Sequence, residues 1–147
     1  MRLLMIKILI INGPNLNMLG LREINQYGKI SYDDLCNLIK THSKNKVQIE
    51  FYQSNIEGEI VSRVQEIIDQ DIDALIVNPG AYTHTSIAIR DALAILNIPK
   101  IEVHLSDINS RENFRKTNLI TDLCELSIIG KGANGYIEAI EYLYEKN

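Results

Sequence analysis

The 147-residue sequence has no tryptophan, only two cysteines and no apolar run near the ~20 residues that span a membrane. Cys36 and Cys124 form at most one disulfide and match no metal-ligand spacing. Cys36 lies among Leu35, Leu38 and Ile39, so we expect a buried structural thiol. This cysteine usage is typical of a reducing compartment and predicts a cytoplasmic protein.

The sequence also lacks an excess of positive charge. Its 15 Lys and Arg against 19 Asp and Glu leave a net charge of −4. We therefore expect no nucleic-acid partner held by phosphate neutralisation and no attachment to an anionic membrane. The apolar run Met1–Ile11 contains Arg2 and Lys7 and has no small-residue cleavage site, so it indicates a strand and not a signal peptide. With 46% apolar residues, we predict one globular domain over 1–147.

Short apolar runs alternate with segments of helical periodicity along the chain. The runs predict strands at Ile6–Asn12, Val47–Gln53, Ala74–Asn78, Ile101–Leu105 and Leu126–Gly130, and their composition is typical of strands buried on both faces. The periodic segments predict a helix with a capping box at Ser31–Asp34, and further helices around 60–68, 88–96 and 136–144, with a short extra one at Ser110–Arg115. This alternation predicts a three-layer, flavodoxin-like α/β fold with a parallel sheet of order 2-1-3-4-5.

Polar residues come directly after several predicted strands, at the carboxyl ends where a parallel sheet binds its ligands. They lie in Asn12-Gly13-Pro14-Asn15, in 78–85 with Asn78 and His84, and in Glu102-Val103-His104-Leu105-Ser106. The loop Gly13–Ile30 is longer than usual for such a connection, which predicts a lid over this edge.

Glu102 and His104 lie two residues apart on a strand and therefore share a face. Three hypotheses follow: a general acid oriented by a carboxylate, a metal site completed by His84, or a structural histidine. His42, beside Lys40 and Lys44, is predicted to be a solvated surface residue.

The predicted lid contains Arg22 and Tyr27. Tyrosine, with a pKa near 10, becomes a base near neutral pH only if a neighbouring cation stabilises the phenolate, and otherwise it packs the loop. Arg111 and Arg115 lie four residues apart and either clamp an anion or form a solvated helix face.

Gly130-Lys131-Gly132-Ala133-Asn134-Gly135 formally matches a dinucleotide fingerprint. The chain ends 12 residues later, before the acidic residue that the fingerprint requires, so we predict a structural turn. Walker A, G-x-S-x-G and H-E-x-x-H sequences are absent.

Taken together, these segments resemble the type II 3-dehydroquinate dehydratases. The matching stretches span nearly the whole chain: Gly13-Pro14-Asn15-Leu16, Leu19-Gly20, Arg22-Glu23, Tyr27-Gly28, Gln53-Ser54-Asn55, Glu57-Gly58, Asn78-Pro79-Gly80-Ala81, Thr83-His84-Thr85-Ser86, Arg90-Asp91-Ala92, Glu102–Ser106, Arg111, Phe114-Arg115, Gly130, Gly132 and Gly135-Tyr136. The resemblance implies a flavodoxin-like fold and dehydration of 3-dehydroquinate to 3-dehydroshikimate in the shikimate pathway, with no metal and no other cofactor.

The resemblance also implies a role for each matching site residue. Tyr27 is the base, Arg22 keeps it ionised, and Asn15 helps to stabilise the enolate through an ordered water. His104 is the general acid and Glu102 orients it. The substrate-binding positions are Asn78, His84, Leu105, Ser106 and Arg115, together with Asp91, which reaches a neighbouring subunit in trimers that assemble into dodecamers.

Two alternatives to this lyase remain at this stage. One is a flavodoxin-like module that binds a nucleotide or flavin without chemistry, which the missing acidic residue and the absence of tryptophan disfavour. The other is a metal hydrolase that uses Glu102, His84 and His104.

Overall fold

The computed structural model describes residues 4–21 and 30–147. The described chain contains five strands, β1 (Lys7–Asn12), β2 (Gln48–Gln53), β3 (Ala74–Asn78), β4 (Lys100–His104) and β5 (Leu126–Ile129). All neighbouring strands are parallel and their order is β2-β1-β3-β4-β5, which confirms the predicted topology. The strand ends differ from the predicted ones by at most one residue.

The described residues form four α-helices: α1 (Tyr32–Ser43), α2 (Glu57–Glu66), α3 (Ile87–Ile95) and α4 (Asn134–Lys146). The first three connect successive strands, 3₁₀ turns connect β4 to β5, and α4 follows β5. The predicted helix start is confirmed, because the Ser31 hydroxyl accepts from the backbone N–H of Asp34 at 3.1 Å and caps α1. Helices α1 and α4 pack on one face of the sheet, and α2 and α3 pack on the other.

Alternate residues of each inner strand point to opposite faces. Ile8 and Ile10 of β1 pack toward α1 and α4, whereas Leu9 and Ile11 pack toward α2 and α3. Strands β1, β3 and β4 are almost fully buried, as predicted. The edge strands β2 and β5 are only partly buried, so the prediction of burial on both faces was wrong for them.

Segment 108–116 differs from the short helix predicted there. It contains two 3₁₀ turns, Ile108–Ser110 and Asn113–Lys116, and Arg111 between them has an extended backbone. Arg111 and Arg115 therefore do not share the face of one helix.

Three smaller predictions can be compared with the structure. Cys36 is only partly buried, although burial still raises the pKa of its thiol. The prediction that His42 is a solvated surface residue was wrong, because its side chain is partly buried and its Nε2 lies 2.6 Å from Glu141 Oε1 on α4. The glycine-rich segment is a tight turn, as predicted: Gly130 and Gly132 have φ angles of 82° and 59°. Within the described ranges, no helix is long and apolar enough to cross a bilayer.

Candidate active site

A pocket lies at the carboxyl ends of β1, β3 and β4, at the edge where the polar sequence segments were predicted to meet. Its walls come from the loops that follow these three strands and from segment 108–116. The lining residues are Pro14, Asn15, Leu16, Asn78, Gly80, Ala81, His84, His104, Leu105, Ser106, Ile108, Arg111 and Arg115.

The loops after β1 and β3 pack directly against each other. A Cβ on Gly13 would lie 2.2 Å from the carbonyl oxygen of Pro79, so only glycine fits there. Asn15 adopts a left-handed backbone with φ of 69°, which asparagine tolerates better than most residues. Its N–H donates to Asn55 Oδ1 at 2.9 Å, and Gln53 Nε2 donates to the Gly13 carbonyl at 3.0 Å. The segment after β2 therefore supports the loop that carries Asn15.

The Asn78 side chain belongs to a buried neutral network on the α1 and α4 side of the sheet. Its Oδ1 accepts from the Gly80 N–H at 3.2 Å, and its Nδ2 donates to the Tyr136 hydroxyl at 3.0 Å. Tyr136 in turn donates to Asn12 Oδ1 at 2.5 Å, and Asn12 Nδ2 donates to the Tyr32 hydroxyl at 3.2 Å. Burial raises the pKa of both tyrosines, so the network stays neutral.

The Glu102 and His104 side chains meet on the opposite face of the sheet. His104 Nε2 lies 2.5 Å from Glu102 Oε2, and both side chains are buried. Because an ionised carboxylate only accepts, Nε2 carries the proton of this hydrogen bond. Burial raises the pKa of Glu102, but the hydrogen bond and charge of His104, together with hydrogen bonds from Ser127 and Asn118, outweigh burial and lower the pKa overall. Glu102 thus orients the imidazole at the edge of the pocket.

His84 faces the same pocket and has a different hydrogen-bond partner. Its Nδ1 lies 2.7 Å from the Thr117 carbonyl oxygen, which can only accept, so Nδ1 is protonated. Burial lowers the pKa of His84, and this effect favours the neutral ring. Neutral His84 therefore presents Nε2 as an acceptor, a suitable partner for a substrate hydroxyl.

Two arginines give the pocket its positive charge. The Arg111 side chain is 5% exposed and its Nη1 donates to Ser106 Oγ at 3.3 Å. Arg115 is held by Glu112, with Nε 2.8 Å from Oε1. The sequence placed both arginines among the anion-binding candidates, and the structure brings both to the pocket without a shared helix face. Guanidinium groups at such a site bind a carboxylate well.

The structure brings together seven of the predicted site residues as pocket lining: Asn15, Asn78, His84, His104, Leu105, Ser106 and Arg115. Glu102 lies behind His104. Asp91 is exposed on α3 and is not among the described residues that line the pocket. Arg22 and Tyr27 lie outside the described residues.

The metal hypothesis has no preformed ligand set in the described ranges. No group of three His, Cys, Asp or Glu side chains there is arranged to hold an ion. The histidines face other partners: His104 Nε2 bonds Glu102, and His84 Nδ1 faces a carbonyl.

The glycine-rich turn is tied to the end of β4, because the N–H of Gly130 donates to the His104 carbonyl at 3.1 Å.

Several contacts around these residues were not found from the sequence. Thr117 holds His84 through a backbone carbonyl, and Asn118 and Ser127 contact Glu102. Backbone contacts leave no sequence signal. Asn118 and Ser127 lie 16 and 25 residues from Glu102, so spacing along the chain does not pair them with it.

Comparison with known proteins identifies the family. Residues 6–144 match the family described as Dehydroquinase class II. The chain is 52% identical over 142 residues to a 3-dehydroquinate dehydratase of Fusobacterium nucleatum, covering 95% of this chain and 97% of the relative. A Thermotoga neapolitana protein of the same name is 51% identical and covers 93% of each chain.

Solved structures agree with the sequence comparison. A type II dehydroquinase from Butyrivibrio crossotus superposes with a TM-score of 0.92 at 50% identity, covering 95% of this chain and 97% of the other. The enzyme from Propionibacterium acnes gives 0.90 at 35% identity, covering 95% and 96%. The nucleotide- or flavin-binding alternative is not favoured. This chain belongs to the class II dehydroquinase family.

Proposed function

We propose that this protein dehydrates 3-dehydroquinate to 3-dehydroshikimate in the shikimate pathway, as a single catalytic domain over 1–147. The relatives at about half identity carry the name 3-dehydroquinate dehydratase. The observation that carries the proposal is the buried pair in which His104 Nε2 lies 2.5 Å from Glu102 Oε2 at the edge of a pocket with two arginines. An oriented acid beside an anion site suits loss of a β-hydroxyl from a carboxylate substrate.

The reaction needs a base, an enolate stabiliser and a separate acid. Tyr27, as phenolate, removes the proton next to the ketone, and Arg22 stabilises that phenolate. The electrons of the broken C–H bond form an enolate, which Asn15 stabilises through an ordered water. The enolate then collapses, the C–O bond to the hydroxyl breaks, and His104 supplies the proton with which it leaves as water.

The remaining site residues bind the substrate. Arg115 pairs with the carboxylate, and its guanidinium is already oriented by Glu112. Neutral His84 accepts from a substrate hydroxyl through Nε2. Asn78, Leu105 and Ser106 complete the contacts, and all three line the pocket.

We also propose that the protein acts in the cytoplasm as a homo-oligomer of trimers that assemble into a dodecamer. Exposed Asp91 on α3 then contributes to the site of a neighbouring subunit. Light scattering tests the assembly: an active sample with the mass of one 16.7 kDa chain would contradict it.

The direct test of the activity mixes purified protein with 3-dehydroquinate and follows the absorbance of the enone product. We expect turnover without added cofactor and in the presence of EDTA. Dependence on a divalent ion would favour the metal hydrolase, and absence of turnover would contradict the proposed function.

The proposed base is tested with two variants. Tyr27→Phe removes the atom that takes the proton, and we expect kcat to fall by about 10²–10⁴-fold at every pH. Arg22→Ala weakens the base, so its residual activity should rise toward pH ~10, where an unassisted tyrosine ionises. If the two residues only pack the loop, both variants should lose thermal stability with a modest rise in KM.

A further inference from the structure

Three donors surround the buried carboxylate of Glu102. Oε2 accepts from His104 Nε2 at 2.5 Å and from Asn118 Nδ2 at 2.7 Å, and Oε1 accepts from Ser127 Oγ at 2.7 Å. The residue is fully buried, and its ion pair in the described part of the chain is with His104. Asn118 therefore shares Oε2 with the imidazole, and Ser127 holds the other carboxylate oxygen.

The orientation of the Asn118 amide follows from its other contacts. Its Oδ1 accepts from the backbone N–H groups of Ile120 and Thr121, both at 3.0 Å. These groups only donate, so the oxygen must face them and Nδ2 must face Glu102. The turn at 118–121 thus presents a fixed donor to the carboxylate.

Ser127 reaches Glu102 from the neighbouring strand. The two residues are direct partners in the β4–β5 ladder, and both lie on the face toward α2 and α3. The Thr121 hydroxyl is 2.9 Å from Ser127 Oγ. Because the single proton of Ser127 goes to Glu102, Thr121 donates to Ser127, and the hydroxyls form a directed chain that ends at the carboxylate.

The same segment also holds the second histidine of the pocket. Thr117, next to Asn118, accepts from His84 Nδ1, and the Leu119 N–H donates to the Thr83 carbonyl at 2.9 Å. Residues 117–121 therefore connect to both pocket histidines, to His84 directly and to His104 through Glu102.

From these contacts we propose that Asn118 and Ser127 are positioning residues for the general acid, which keep Glu102 ionised and directed at His104 Nε2. The inference rests on the proposed role of the Glu102–His104 pair. Both residues act through Glu102, and neither lines the pocket in the part of the chain that the structure describes. Their loss should therefore change kcat and its pH dependence more than KM.

A matched pair of variants tests this role. Ser127→Thr keeps the hydroxyl, and Ser127→Val has nearly the same shape without it. In Ser127→Val the carboxylate loses a donor, which raises the pKa of Glu102. As pH is lowered, kcat should therefore begin to fall at a higher pH in Ser127→Val than in Ser127→Thr. A shift of one pKa unit makes kcat about tenfold lower than in Ser127→Thr at acidic pH. The difference should shrink as pH rises, with similar KM values in both variants.

Asn118→Asp provides a second test on a different segment. It keeps an oxygen for the N–H groups of Ile120 and Thr121 and replaces the donor to Glu102 with a second carboxylate. Two carboxylates in hydrogen-bond contact cannot both remain ionised, so the acidic side of the kcat profile should move to higher pH than in Ser127→Val.

The outcomes separate this role from the proposed function. Inactive wild-type protein overturns the proposed function and this role with it. Active wild type with identical Ser127→Thr and Ser127→Val profiles overturns only the positioning role. A Val-to-Thr ratio that is constant across pH, together with lower thermal stability, shows that the hydroxyl matters only for folding. If Ser127→Val fails to fold, an Asn118→Asp profile like that of wild type overturns the role.

Discussion

Two buried polar networks lie beneath the same pocket, one on each face of the sheet. The neutral network on the α1 and α4 side joins Tyr32, Asn12, Tyr136 and Asn78. The charged network on the α2 and α3 side joins Thr121, Ser127, Asn118, Glu102 and His104. Both satisfy buried polar groups and both end at a side chain that lines the pocket.

The two networks differ in whether their groups gain or lose protons as pH changes. The neutral network contains two amides and two tyrosines whose pKa values burial raises, so its protons stay in place across the working range. The charged network contains a carboxylate and an imidazole. The neutral network is therefore suited to hold a binding side chain, and the charged one to hold a group that exchanges a proton.

The largest expected effect is on the charged network. His104→Gln keeps an amide donor for Glu102 but has no acid, so we expect kcat to fall by about 10²–10⁴-fold with the fold retained. Steady-state kinetics measures this, with His42→Gln as the control, since His42 pairs with Glu141 far from the pocket. If kcat stays within a few-fold of the wild-type value, His104 is not the general acid and this network has no role in proton transfer.

Tyr136→Phe should break the neutral network with a different result. Asn12 Oδ1 and Asn78 Nδ2 both lose a buried partner, at a cost of about 1–3 kcal/mol for each group. Urea unfolding should therefore show a clear loss of stability, while the pH midpoints of kcat stay where they are in wild type.

Tyr142→Phe on the same helix is the matched control for Tyr136→Phe. The Tyr142 hydroxyl donates to Glu125 at the surface, so its loss should change stability much less. If Tyr136→Phe instead moved the pH midpoints, the two networks would not be electrostatically separate.

The sequence predicted the strand order from the alternation of strands and helices, which is typical of a flavodoxin-like sheet, and it predicted the shared face of Glu102 and His104 from the periodicity of one strand. Alternation along one strand puts i and i+2 on the same face, and parallel strands meet at one edge. The partners of Glu102 could not be predicted in this way. Asn118 reaches it through a turn, and Ser127 reaches it through the ladder register between two strands.

Segment 108–116 shows where periodicity misleads. A short helix was predicted at Ser110–Arg115, which would put Arg111 and Arg115 on one face, but the chain forms two 3₁₀ turns with an extended residue between them. Arg111 donates to Ser106 and Arg115 donates to Glu112, and these contacts hold the two guanidinium groups at the pocket. Such contacts depend on tertiary structure and not on local pattern.

The stability of the charged network should also depend on pH. The pKa of Glu102 is lowered in the folded protein, so its contribution is fully present above the unfolded value of ~4.3 and is lost as pH falls through the folded value. Glu102→Gln does not titrate. Urea unfolding of both proteins on the acidic side should therefore show the wild-type advantage shrinking as pH falls. An advantage that grew at low pH would contradict an ionised Glu102.

The smallest effect is expected outside both networks, at Glu141. This partly exposed carboxylate accepts from His42 and from Lys46 Nζ at 2.7 Å, and these contacts lower its pKa. Water and salt screen such pairs, so Glu141→Gln should lower Tm by about 2 °C or less and leave kcat and its pH profile unchanged. The difference should vanish near 1 M salt, where the screening length is about 3 Å. If Glu141→Gln lost as much stability as Tyr136→Phe, burial would not explain why the two networks contribute more to stability than the surface ion pairs do.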